Sequence, residues 1–322
     1  MRDLSDQITK YLSDAHAIEV QALAQLRPAV EAAGDAEIAD AIREHVAETE
    51  EHERTVRRLL EERGEGPNRL EDLVMRIGGA GFLLFARANP DTPGKLVAHS
   101  ISYEGLETAS YELLALTADR AGEDEVAAEA RRIAGQEWRM IERLESLTDR
   151  SVDASLRELG QPQPAEQLPK YLADAHAIEE QAIALLERAP GLVEDSQLAS
   201  VFADHLAETR DHEELVSERL TALGGDTSSL KDAALRLGAL QWGAFFQGHP
   251  DTPGKLAAFA YAFEHLEIGG YAQLRIVAER AGDEATVELV SRILEQERAA
   301  AGRIQAQFEA AVTASLRAVG AA

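Results

Sequence analysis

The sequence predicts an all-α protein built as two tandem helical bundles, each of four long helices and one short one. Three observations carry this reading. Segments separated by a constant 160 positions repeat one another along the chain. Apolar residues recur every third or fourth position, as at Ile133, Ile141 and Leu144, and no stretch alternates as a strand does. Ala, Leu, Glu and Arg dominate a chain of 322 residues with only 5% aromatics, a composition that favours helix.

The repeat is direct. KYLSDAHAIEVQA from Lys10 returns as KYLADAHAIEEQA from Lys170, and EHVAETEEHE from Glu44 as DHLAETRDHE from Asp204. SYEGLETASY from Ser102 returns as AFEHLEIGGY from Ala262, and ASLRELG from Ala154 as ASLRAVG from Ala314. PDTPGKL occurs at Pro90 and again at Pro250. No insertion or deletion is needed, and the period is too long for a solenoid but suits a domain. The proline-rich run QPQPAEQLP after Gly160 marks the boundary, giving domains 1–160 and 161–322.

Within the first copy, one helix runs from about Leu4 to Ala32. Gly34 and Asp35 turn the chain and cap a second helix, about Ala36 to Arg63. Gly64 to Pro67 breaks it, and a short apolar helix follows, about Leu70 to Arg87, best read as ordinary core. NPDTPGK is a turn in which Pro93 opens the next helix. It lacks the glycines of a phosphate loop and follows no strand. That helix ends at AGED near Gly122, and a last helix runs from about Asp124 to Leu159.

The charge balance narrows the function classes. Fifty-eight acidic against 32 basic residues leave a formal charge of -26, which repels phosphate backbones and anionic lipid. Cysteine is absent, so disulfides, thiolate chemistry, iron–sulfur clusters and cysteine zinc sites are excluded. The N-terminus carries no apolar signal region, and the most apolar stretches, Leu73–Ala86 and Ala233–Phe246, are too short to span a bilayer. A cytoplasmic protein that binds neither nucleic acid nor membrane is expected.

The duplication sorts the acidic residues. Most glutamates of the first copy are replaced in the second, as solvated helix faces allow. Glu19, Glu48, Glu53, Glu104, Glu107 and Glu137 persist as Glu179, Glu208, Glu213, Glu264, Glu267 and Glu297. His16, His45 and His52 persist as His176, His205 and His212. Glu48 and His52 are four apart and Glu104 and Glu107 three apart, so each pair shares a helix face. Four long helices thus each bring at least one carboxylate. Like charges converging in a bundle centre cost many kcal/mol unless protons or cations neutralise them, and a pair of carboxylate-bridged metal ions is the usual solution in helical bundles. Oxygen-rich ligation with an imidazole suits iron or manganese, with zinc as a further candidate. His52 and His212 are favoured slightly as ligands, with His45 and His205 and then His16 and His176 as second choices, and at least one of His45 and His52 is expected to lie behind the ligands. His16 and His176 are expected to bond a neighbour, Glu53 to form a surface ion pair, and Tyr111 and Tyr271 to pack with a bonded hydroxyl.

On DAHAIE with Glu19, HVAET with His45 and Glu48, YEGLETASY with Glu104 and Glu107, and QE with Glu137, the sequence resembles the YciF-type bacterial stress-response proteins of the ferritin-like superfamily. The second copy carries DAHAIE, HLAET, FEHLEIGGY and QE. The resemblance covers nearly all of each copy. It implies a ferritin-like bundle with a dinuclear metal site and pairing as dimers, so that the tandem chain forms an intramolecular pseudo-dimer. It also implies Glu19, Glu48, Glu104 and Glu137 as core ligands, with Glu107 beside them, and Glu179, Glu208, Glu264, Glu267 and Glu297 in the second copy. Better-known ferritin-like enzymes carry a Glu-x-x-His pair on the second helix and often on the last. Here His52 comes four after Glu48, His45 three before it, and Met140 and Ala300 fill the last-helix position. The expected activity is oxidation of ferrous iron by oxygen or peroxide. The competing expectations are a metal-free helical interaction module with buried carboxylates, and a di-iron oxidase acting on an organic substrate.

Overall fold

The computed structural model describes residues 4–66, 92–193, 195–226 and 251–321. The chain folds as two compact units, one over Met1–Gln161 and one over Pro162–Val319. The described residues form helices and no strands.

Unit 1 contains α1 (Leu4–Ala32), α2 (Ala36–Glu62), α3 (Thr92–Ala121), α4 (Asp124–Ser146) and α5 (Thr148–Glu158). Gly34, at φ 65°, makes the α1–α2 turn, and Asp35 Oδ1 accepts from Glu37 N at 3.0 Å and Ile38 N at 3.4 Å. Gly122, at φ 72°, ends α3. α1 packs on α2 and α3, and α4 on α3 and α2, closing a ring in the order α1–α2–α4–α3.

Two apolar layers fix the helix directions. One joins Ile8 and Leu12 of α1, Val56 and Leu60 of α2, Leu114 and Ala118 of α3, and Ala130 and Ile133 of α4. The other joins Leu26 and Ala29, Ile38 and Ile42, Val97 and Ile101, and Ile141 and Leu144. Ring neighbours are therefore antiparallel and the diagonals α1/α4 and α2/α3 parallel. A parallel diagonal needs a long connection, which residues 63–91 supply. Between the two layers every long helix turns a polar side chain inward, and the site lies there.

Unit 2 repeats the plan with α6 (Pro164–Leu186), α7 (Ala189–Leu192), α8 (Ser196–Ala222), α9 (Thr252–Ala281), α10 (Glu284–Gln305) and α11 (Phe308–Val319). Asp195 caps α8 as Asp35 caps α2, accepting from Gln197 N and Leu198 N at 3.0 Å each.

Three sequence expectations change. The proline-rich boundary is partly helical, since Pro164 starts α6 at a position where a missing N–H costs nothing. The first helix of unit 2 is interrupted after Leu186, where Pro190 and Gly191 replace Val30 and Glu31. The last helix of each unit is broken: Leu147 N bonds Leu144 O, three residues back, and a new helix begins at Thr148. The break lets α5 fold back over the start of α3, where Ser155 Oγ accepts from Gly94 N at 2.8 Å and Glu158 Oε2 from Thr92 N at 3.0 Å. Ser315 accepts from Gly254 N at 2.8 Å in unit 2. The retained PDTPGKL and ASLR motifs are thus two halves of one helix cap. The short apolar helix expected over Leu70 to Arg87 lies outside the described residues.

Candidate metal centre

Glu19 on α1, His45 and His52 on α2, Glu104 and Glu107 on α3 and Glu137 on α4 meet between the apolar layers, all essentially closed to solvent. They form two overlapping donor groups. His45, Glu104, Glu107 and Glu137 can each offer a ligand atom within 4.8 Å of the others, and so can Glu19, His52 and Glu137. Glu137 belongs to both. The second unit reproduces the pattern with His205, Glu264, Glu267 and Glu297, and with Glu179, His212 and Glu297.

Each histidine turns one nitrogen inward and holds the other. His45 Nε2 lies 3.0 Å from Glu104 Oε2 and 3.3 Å from Glu137 Oε2, while Nδ1 lies 3.2 Å from Glu48 Oε2. His52 Nδ1 lies 2.7 Å from Glu137 Oε1 and 3.8 Å from Glu19 Oε1, while Nε2 lies 3.2 Å from Gln136 Oε1. An outer N–H donated to an oxygen leaves the inner nitrogen's lone pair for a cation, the arrangement by which outer partners orient metal-ligating imidazoles. In unit 2, His205 Nε2 is 2.8 Å from Glu264 Oε1 and His212 Nδ1 2.7 Å from Glu297 Oε1. The outer nitrogens face Glu208 at 3.4 Å and Gln296 at 3.1 Å. Tyr111 donates its hydroxyl to Glu19 at 2.5 Å, and Tyr271 donates to Glu179.

The electrostatics call for positive charge. Burial, reinforced by neighbouring carboxylates, raises Glu107 well above the ordinary carboxylate range and Glu19 to about 8. Burial also raises Glu104 and, in unit 2, lifts Glu264 to about 7. For His45 burial acts downward, but Glu104 and Glu137 overcome it and raise the imidazole well above its usual value. His205 is raised to about 10 by the same balance against Glu264. Both oxygens of Glu107 and one of Glu19 are buried without a hydrogen-bond partner, as are their counterparts Glu267 and Glu179, while Glu137 and Glu297 face the inner histidine nitrogens. Such atoms cost free energy unless something bonds them. Four buried carboxylates per unit balance the charge of two divalent cations, so the donor set fits a dinuclear metal centre.

The remaining sequence candidates fall outside the donor groups. Glu48 is three residues from His45, which sets it behind the imidazole with its side chain 46% exposed. Glu208 sits likewise behind His205 and also pairs with Arg303. His16 bonds Glu53 at 2.8 Å and His176 bonds Glu213 at 2.8 Å, away from the cluster. Glu53, expected at the surface, is instead buried and held between His16 and Arg57, because α1 leans His16 over it. Both retained α2 histidines enter the donor groups, in place of the single imidazole expected. Gln136 and Gln296 are functional positions the sequence reading misses, although the pair QE persists in both copies.

A four-helix ring with a buried carboxylate–histidine layer, written twice in one chain, defines a tandem ferritin-like protein. The family model described as a domain of unknown function (DUF892) matches residues 3–157 and again 163–317. The chain belongs to that family, the YciF-type ferritin-like proteins. No solved structure matches the chain. Among the described residues no helix is long and apolar enough to cross a membrane.

Proposed function

We propose that each unit holds a pair of divalent metal ions, iron foremost and manganese or zinc as alternatives, and that the protein oxidises ferrous iron with oxygen or peroxide in a stress response. The observation that carries this is Glu137, and Glu297 in unit 2: one buried carboxylate shared by two donor groups. When bound, iron supplies electron transfer to oxygen or peroxide. The chain's own part is to hold and to exclude. His45, Glu104 and Glu107 would hold one position, and Glu19 and His52 the other, with Glu137 spanning them. Glu48 and Gln136 orient the imidazoles, Tyr111 fixes Glu19, and the apolar layers above and below keep bulk water out.

Full-length protein titrated with ferrous iron under anaerobic conditions should take up about two ions per unit. Admitting oxygen should then consume it in proportion to bound iron, and Glu137→Ala with Glu297→Ala should abolish both. If metal analysis finds no stoichiometric uptake, and melting is indifferent to chelator and added metal, the proposal fails and a metal-free helical module is the better reading.

A further inference from the structure

The two units differ along one wall of their centres. In unit 1, Gln25, His99, Ser100 and Tyr103 stand beside Glu104 between α1 and α3, and together with four apolar residues of the same helices they line a cavity of about 10 Å³. That is the least room that can hold one water. His99 Nε2 lies 2.9 Å from Gln25 Oε1, and the Tyr103 hydroxyl donates to Ile18 O at 3.0 Å and Gln21 Oε1 at 3.1 Å. Burial brings His99 down to about 4, so its ring is neutral at neutral pH and adds no charge to oppose a passing cation. At the matching positions of unit 2 stand Leu185, Phe259, Ala260 and Phe263, beside an unchanged Glu264. Leu185 and Ala260 are buried. Gly105 is replaced by His265, which turns back on its own helix, its Nδ1 2.8 Å from Tyr261 O and its ring 4.4 Å from that tyrosine's ring. Four side chains able to hydrogen-bond water have become four that cannot, while the donor groups behind them are intact.

We propose that the centre of unit 1 is connected to solvent through the polar wall between α1 and α3, which admits water-sized hydrogen-bonding molecules, and that the apolar wall of unit 2 closes its centre on that side. The proposal rests on the metal-binding reading above. It predicts that one centre exchanges readily with solution and the other slowly.

The test is metal release from the full chain loaded with cobalt(II), followed by its visible absorption after excess chelator is added. Two phases of equal amplitude are expected, separated by about tenfold in rate. Combining Gln25→Leu, His99→Phe, Ser100→Ala and Tyr103→Phe should move the fast phase onto the slow one. The reverse set in unit 2, Leu185→Gln, Phe259→His and Phe263→Tyr, should speed the slow phase and keeps the idea testable if the first variant does not fold. A single phase from fully loaded wild-type protein, or two phases unmoved by either set, overturns the proposal and leaves the metal-binding reading standing. Failure to bind cobalt at all removes both.

Discussion

Glu107 carries the sharpest electrostatic conflict in unit 1. Both its oxygens are buried and unbonded, and Glu137, Glu19 and Glu104 all push its proton affinity upward. A group so placed stabilises nothing in the metal-free fold. Replacing it by an apolar residue of similar size removes a buried, unsatisfied polar group, a change worth about 1–3 kcal/mol in favour of folding. Glu107→Leu should therefore raise the melting temperature of chelator-treated protein while lowering metal uptake. A variant that melts lower without metal would show that Glu107 is a structural hydrogen-bonding group. Acidity gives a second prediction at this scale. Glu19 has its folded pKa raised from 4.5 to about 8, so the stability its protonated form contributes is lost as pH rises between those values. Glu104 and Glu107 act in the same direction, and His45, also raised, adds a loss above its ordinary value of 6.5. Glu137 is lowered and acts oppositely only below the ordinary carboxylate range, and the lowered His99 and His265 oppose the trend only below their ordinary value of 6.5. Metal-free protein should thus melt progressively lower from about pH 5 to pH 8, and the increment conferred by metal should grow over the same window as protons cease to compete. Calorimetry with and without metal decides it, and a metal increment that shrinks with pH would exclude these carboxylates as ligands. Retention across the duplication marks Glu19, Glu104, Glu107 and Glu137 in the sequence. It does not reveal that Glu48 faces outward from α2, because a residue orienting a ligand is retained as faithfully as the ligand.

At the scale of elements, the long helices are legible because cap, turn and periodicity agree, as at Gly34, Asp35 and Gly122. The break at Leu147 is not, since the apolar period continues through it and no proline or glycine marks it. Its cause lies in tertiary structure: α5 must reach the first amides of α3, and Ser155 supplies the acceptor. Ser155→Ala should leave the Gly94 N–H buried and unbonded and cost about 1–2 kcal/mol. Ser315→Ala should do the same in unit 2, and the two losses should add because the residues belong to separate caps. Chemical denaturation with metal content measured alongside checks both, and a loss of metal at unchanged stability would contradict the assignment of a purely structural role. Gly34→Ala should be worse. The residue sits at φ 65°, and an added Cβ would come within 2.8 Å of Pro93 Cγ, so backbone strain and overpacking act together.

Across the duplication one surface ion pair has kept its place while exchanging the signs that make it. Arg27 pairs with Glu50 at 2.9 Å in unit 1, and the matching positions hold Glu187 and Arg210, paired at 2.8 Å. Such exposed pairs contribute little individually, and salt weakens them. The formal charge of -26 works against folding by general repulsion, which salt relieves. The two effects have opposite signs, so ionic strength separates them. Even with the four buried carboxylates of each unit neutralised, the acidic excess remains large, and repulsion should dominate. Raising monovalent salt from about 0.01 M to 0.5 M shortens the screening length from about 30 Å to a few ångströms, and the melting temperature should rise. A fall would mean that the surface pairs outweigh the net charge. Chelated and metal-loaded protein should respond alike, because the buried charges are screened far less than those on the surface. A salt effect confined to the chelated form would instead place the relieved repulsion at the two centres.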